Sequence, residues 1–243
     1  MRTPDYPSGD GGSTPTPSLQ FVELEKRKAT DLVETHHYLK RACPVSWAWG
    51  IKVGDKILGV LTIGKPCSWS VICGVVRETL VDMKKSSSRS KDVFELNRLW
   101  VDDSLPKNTE SRFIGWCLRE FKKKRSRGIL ISYADTAQFA SSGKRHIGVV
   151  YQATNWIYTG IASAARDKTY SWFRDYRSVP KELRGDPDPK TGKRPWPPRK
   201  NPNTGKMEAA ILKPRTLKHR YVYFGDPQDR NLLKWKVEKY PKF

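Results

Sequence analysis

The chain contains no run of apolar residues approaching the ~20 that a membrane-spanning helix needs, so no such span is expected. No apolar h-region lies near its start, where MRTPDYPSGDGGSTPTPS is polar and rich in proline and glycine. Residues 1–19 are expected to be a disordered, solvated arm rather than a signal peptide, and the chain is expected to work in the cytoplasm. Cysteine is scarce. Cys43, Cys67, Cys73 and Cys117 form no C-x-x-C pair, which excludes the usual zinc-knuckle spacings. Without a secretory signal these are expected to be reduced thiols, mostly buried. No internal repeat is present, and no glycine fingerprint marks a phosphate loop.

Acid is also short. Lys and Arg number 46 against 25 Asp and Glu, a formal net charge of +21. Such an excess repels itself unless a polyanion relieves it. Nucleic acid is the partner this charge favours, through phosphate neutralisation and counterion release. A merely soluble basic protein, or one that binds anionic membrane, is the bland alternative. Hydrophobic residues at 37% and aromatics at 11% describe a globular chain. Its 243 residues suffice for one large domain or two small ones with a core.

Residues 20–41, with Phe21, Val22, Leu32 and Leu39 amid charges, predict an amphipathic helix that stops at Cys43-Pro44. WAWGIKV and ILGVLTIG, either side of Gly54-Asp55, predict a hairpin. Residues 66–83 read equally as strand or helix, and SSSRS at 86–90 as a loop. VFELNRLWV (93–101) alternates as a strand does. In 111–125, Phe113, Ile114, Cys117, Leu118 and Phe121 recur at helical spacing, and Gly128 stops that helix. ILISYAD is the next strand, 146–155 a short helix, WIYTGIAS a strand and KHRYVYF a last strand before a basic tail. Strand, helix, strand, helix, strand argues for an α/β or α+β fold with a parallel pair in the middle.

Residues 180–206 form a long, proline-rich basic segment. Trp196 stands there among Arg194, Arg199 and Lys200, a pattern that suits a nucleic-acid strand held along its phosphates or on a stacked base. A plain surface linker is the alternative.

Asp135 closes a buried-looking strand. It caps the next helix or marks the mouth of a site. The loop after the first central strand leads to a helix start, where amide groups and the dipole hold phosphate. Asn108 or Thr109 can cap that helix, Ser111 is a default N-cap, and Arg112 adds a formal charge. His37 is either a structural partner on its helix or a proton relay, since an unperturbed histidine titrates near neutral pH. Tyr38 and Tyr151 are core or rim aromatics, or donors to an anionic oxygen. A His, Tyr and Asp set can also hold a redox metal such as iron, though no ligand spacing points to one.

Taken in order, ELNRLWVDDSLPKNTESRFIGW, SYADTAQ, IGVVYQATNWIYTG and KHRYVYF resemble the Mom family, phage DNA-modification proteins related to the GNAT acyltransferases. The resemblance covers roughly 20–165 and the KHRYVYF stretch. It implies a mixed α/β sheet whose two central parallel strands, 93–101 and 129–135, splay apart. It implies a GNAT-like catalytic domain over 20–179, with 180–206 as a loop and 207–243 as a strand and tail packed on that domain. It implies conversion of adenine in DNA to N6-carbamoylmethyladenine, which protects phage DNA from restriction in the host cell. The substrate would be double-stranded DNA with one adenine flipped out. Acetyl-CoA or another acyl-CoA would lay its pyrophosphate on the amides from Asn108 to Gly115, near Thr109 and Arg112. Residue by residue, the likeness points to His37, Tyr38, Ser111 and Asp135 as catalytic, to Arg98 on the donor side, and to Tyr151 and Asn155 on the substrate side. Two departures stand out: FASSGKR before His146 is longer and more basic than the family pattern, and no clean R/Q-x-x-G-x-G/A loop is present. The rival expectations are an acyltransferase acting on aminoacyl-tRNA or protein, and a non-catalytic basic DNA-binding protein.

Overall fold

A computed structural model of the chain describes residues 18–85, 87–136, 146–162, 199–200, 207–208 and 218–242. Its strands are β1 (Leu19–Glu23), β2 (Trp47–Val53), β3 (Lys56–Gly64), β4 (Val93–Val101), β5 (Ile129–Asp135), β6 (Ile157–Ala162), β7 (Arg199–Lys200), β8 (Met207–Glu208) and β9 (Lys218–Phe224). Its helices are α1 (Lys26–His36), α2 (Trp69–Val75), α3 (Leu80–Lys84), α4 (Thr109–Lys124) and α5 (Val149–Gln152). Seven strands form one sheet in the order β1-β2-β3-β4-β5-β9-β6, and β7 pairs with β8 separately. Only β4 and β5 run parallel within the sheet; the other neighbours are antiparallel.

The sheet is covered on both faces. On one face α4 buries Phe113, Ile114, Cys117, Leu118 and Phe121 against Ile63, Phe94, Leu96 and Leu130. Fully burying each such apolar side chain contributes about 1.5–3 kcal/mol. On the other face α1 packs Ala29 and Val33 on Ala48 and Val60. Beside it, α2 sets Ile72 and Val75 over Ile129, Ile131 and Val222. Residues 66–83, ambiguous in sequence, are thus largely helical. No helix among the described residues is long and apolar enough to cross a membrane.

The first expected helix begins later than its sequence suggests. Residues 19–23 are instead an edge strand, paired from Leu19↔Val53 to Glu23↔Trp49. Phe21 is drawn away from α1 to pack on Phe113, 5.2 Å between ring centroids, and on Trp116. Burial against α4 overrides the local helical pattern.

Past β9 the chain returns over the sheet. Leu233 bridges to Val76, Arg220 lies 3.7 Å over the Trp235 ring, and the Tyr240 hydroxyl donates to the Trp156 carbonyl. Asp229, almost fully buried, accepts from both Arg89 and Arg127 and ties this segment to the strand ends.

Candidate active site between the parting strands

β4 and β5 pair over only three rungs, Val93↔Ile129, Phe94↔Leu130 and Glu95↔Ile131. Beyond them β4 continues to Val101 and β5 to Asp135 without meeting. β4 is displaced at this point by a bulge. Thr62 faces Arg98 while Ile63 faces Leu96, which leaves Asn97 extra. A bulge bends its strand and re-aims side chains, and here it helps open a wedge.

Polar groups line the wedge. Ser132 Oγ donates to the Leu96 carbonyl oxygen at 3.1 Å and lies 2.8 Å from the Tyr151 hydroxyl. Tyr151 is buried, and burial pushes its phenol well above the ordinary tyrosine range. Its ring rests on Trp156 and Tyr221. The turn that delivers it needs Gly148, whose φ is +83°; a Cβ there would strike the Tyr221 ring.

His37 follows the last turn of α1 with φ −70° and ψ 140°. Its Nδ1 accepts from the Leu39 amide at 3.1 Å, so in the neutral ring the proton sits on Nε2. Burial, then the charges of Arg98 and His146, lowers its pKa to about 3. His37 is therefore a neutral donor through Nε2 near pH 7, not the near-neutral proton relay that its ordinary pKa suggests. Tyr38 lies with its ring 4.2 Å from His37 and is 44% exposed, on the rim of the site.

Asp135 is 6% exposed and stands in register with Lys218. Its carboxylate favours the charged form of His146, although burial dominates and holds the His146 pKa below normal, with His219 adding to the lowering. His219, opposite Ala134, places Nδ1 2.8 Å from the Tyr158 hydroxyl and is itself lowered by burial. His146, His219 and the half-buried Glu95 were absent from the sequence candidates. Burial raises the Glu95 carboxyl against the pull of Arg98 and Lys218. No local motif announces any of the three: strand pairing sets Glu95 opposite Ile131 and His219 opposite Ala134, and His146 feels Asp135 and His219 from the chain before α5.

Arg98 donates from Nη1 to the Asn97 carbonyl, and its Nε is buried without a partner among the described residues. Its charge bears on His37 and on Cys43. That hydrogen bond does not reach the start of α4. Arg98 thus stands with His37 rather than with the expected donor cradle, because the bulge turns it toward the α1 face.

At the start of α4, Asn108 occupies the N-cap in a left-handed conformation, φ 66°, and its side chain caps nothing. Thr109 Oγ1 donates to the Pro106 carbonyl and Ser111 Oγ to that of Asn108, so neither hydroxyl caps an amide. The expected capping by Asn108, Thr109 or Ser111 is therefore not made. The amides of Glu110 and Ser111 are left without an acceptor among the described residues. Arg112 is exposed beside them, and a Cβ on Gly115 would meet nothing nearer than Arg119 at 3.9 Å. Positive helix-end amides, a guanidinium and open space together fit an anionic group, with Glu110 opposing.

Asn155 is exposed in a left-handed turn after α5, where its amide donates to the Gln152 carbonyl. Arg194 and Trp196 lie outside the described residues, as does the FASSGKR stretch at 139–145. Arg199 and Lys200 are described only as backbone in β7. Among the described residues no group of three or more His, Cys, Asp or Glu could hold a metal ion. The thiols are unpaired: Cys117 is buried, Cys43 and Cys73 partly so, and Cys67 exposed, against the expectation that most would be buried.

A mixed sheet whose central parallel pair parts beside a helix start is the arrangement that the GNAT resemblance implies. Solved structures similar to it include the aminoglycoside 6'-N-acetyltransferase from Enterococcus faecium, at 11% identity and a TM-score of 0.45, covering 86% of this chain and 98% of that one. An N-acetyltransferase from Staphylococcus aureus Mu50 has 11% identity and a TM-score of 0.44, covering 86% and 99%. The chain belongs to the Mom protein family, whose family model matches residues 18–242. It is 31% identical over 134 residues to the methylcarbamoylase mom of Escherichia phage Mu, a stretch covering 54% of this chain and 49% of that protein. The match thus spans about half the length of that relative.

Proposed function

We propose that this protein is an enzyme that modifies the exocyclic N6 of adenine in DNA, with N6-carbamoylmethyladenine as the product and protection of phage DNA from restriction as the consequence. The observation that carries the proposal is the buried Asp135, with His146 beside it and neutral His37 nearby, at the open end of β4 and β5. Membership of the Mom family and the +21 charge support a DNA substrate.

The chemistry explains why such groups are needed. The N6 lone pair is delocalised into the purine, and in a duplex the base is stacked and paired. Reaching it requires extrusion of the base, at a cost of a few kcal/mol. The Asp135 carboxylate can accept from N6–H as positive charge develops, and His146, whose charged form Asp135 favours, can take the proton. His37 presents Nε2–H to an oxygen of the incoming group, with Tyr38 beside it at the rim. An acyl-CoA would rest its pyrophosphate on the Glu110 and Ser111 amides and Arg112, and would supply an activated carbon. A carbamoylmethyl group joins N6 through a methylene, so acyl transfer alone does not produce it; either a different donor, or a later rearrangement or amination, must complete the group.

The test is to digest DNA from cells expressing the protein to nucleosides and weigh them. A new deoxyadenosine species supports the proposal. An unchanged profile from an active preparation removes it, and an acyl mass on charged tRNA instead would reassign the substrate.

A further inference from the structure

Trp69 differs from every other described tryptophan. Trp49 and Trp156 are buried. Trp47 packs on Phe94, Trp116 on Phe21, Trp100 stacks with His36, and Trp235 lies beneath Arg220. Trp69 is 58% exposed and has no ring or cation partner among the described residues. Tryptophan is enriched at interfaces, where one side of the ring system is apolar and the other is wet.

Its place in the fold matters. Trp69 opens α2, five residues after Gly64, and Gly64 is in register with Glu95 at the last rung before β4 and β5 part. Cys67, two residues before Trp69, bears electrostatically on Cys43, which also feels Arg98 and Glu95. α2 covers the same sheet face as α1, which carries His37. The indole is thus exposed on the helix that covers the same sheet face as Arg98 and His37, and Tyr38 is a second exposed aromatic, beside His37.

We propose that Trp69 is a stacking platform for an unpaired nucleobase of the DNA strand led to the wedge. The inference rests on the nucleic-acid reading above and adds a residue to it. A strand opened to free one base leaves neighbouring faces unstacked, and an indole replaces that stacking without reading sequence. Charge selects this occupant. A chain at +21, with Arg98 on this face of the sheet, draws phosphates, and the bases attached to them then meet the exposed ring.

The experiment titrates the full chain with a single-stranded oligonucleotide and, separately, with inorganic polyphosphate, following tryptophan emission and affinity. Wild type, Trp69→Phe and Trp69→Ala are compared. The oligonucleotide should quench wild type and quench both variants much less. Affinity for it should fall on the order of tenfold in Trp69→Ala and less in Trp69→Phe. Polyphosphate affinity should stay the same in all three. Equal oligonucleotide affinity in Trp69→Ala overturns the proposal, as does an equal loss toward polyphosphate. So does a shift from dimer to monomer on sedimentation, which would make the indole a contact between copies. The two readings fail separately: Trp69-dependent binding with no modified nucleoside sinks the activity alone, and modified nucleoside with Trp69-independent binding sinks the platform alone.

Discussion

The Ser132 hydroxyl donates to the Leu96 carbonyl oxygen one residue past the last β4–β5 rung, so a side chain takes over where the backbone ladder ends. This bond and its neighbour at Tyr151 fix how far the strands part. Ser132→Ala should leave the Leu96 carbonyl and the Tyr151 hydroxyl short of a buried partner, and should lower stability by about 1–3 kcal/mol. Urea unfolding checks this, and an unchanged midpoint would show that the wedge holds itself open without the bridge.

His37 gives the fold a dependence on acid. Its folded pKa of about 3 lies below the ordinary 6.5, so the unfolded chain takes up the proton first as pH falls. The stability it contributes is complete above pH 6.5 and drains as pH drops toward 3. His146 and His219, lowered in the same direction, add to the loss in that window. His37→Gln should therefore lose less stability than wild type as the pH falls from neutral to about 5. Matching losses, measured as urea midpoints, would mean that His37 is hydrated.

Asp135 is argued to act partly through His146. Asp135→Asn removes the carboxylate that favours the imidazolium, so the His146 ring should titrate at lower pH in the variant. NMR of the ring C–H signals measures this directly. An unmoved titration would separate the two residues and leave Asp135 without its proposed route to the proton.

Much of this architecture was legible in the chain. β4 alternates in sequence, β5 is a short apolar run because both of its faces are covered, and α4 repeats its apolar residues from Phe113 to Phe121 because it buries one face against the sheet. The strand at Phe21 was not legible, since pairing with β2 and packing on Phe113 decide it, and both partners are distant in sequence. Asp135 could be singled out because an acid is unusual at the end of an apolar run. His146 and His219 could not, because the pairing of β9 on β5 sets His219 next to the register partner of Asp135, and His146 feels both from the chain that leads into α5.

Asp229 holds the segment after β9 to the strand ends. Asp229→Ala would leave Arg89, with Nε already unpartnered, facing no carboxylate from this side, and removing one partner of a buried pair costs about 3–5 kcal/mol. A drop in thermal midpoint with earlier proteolysis after Phe224 is expected; unchanged resistance would make the clamp incidental.

The proline-rich segment should act on affinity and not on chemistry. Replacing Arg194, Arg199 and Lys200 together should flatten the salt dependence of DNA binding, by up to about 0.9 in log–log slope for each phosphate no longer neutralised. A slope that stays put would exclude the segment from the interface.

The account stands most directly on incubating DNA in parallel with wild type and Asp135→Asn in a competent cell extract, then weighing the deoxyadenosine pool while measuring DNA affinity. A heavier deoxyadenosine with wild type alone, at nearly equal affinity for both proteins, is the predicted result. The same heavier nucleoside with Asp135→Asn, or none with wild type, would contradict it.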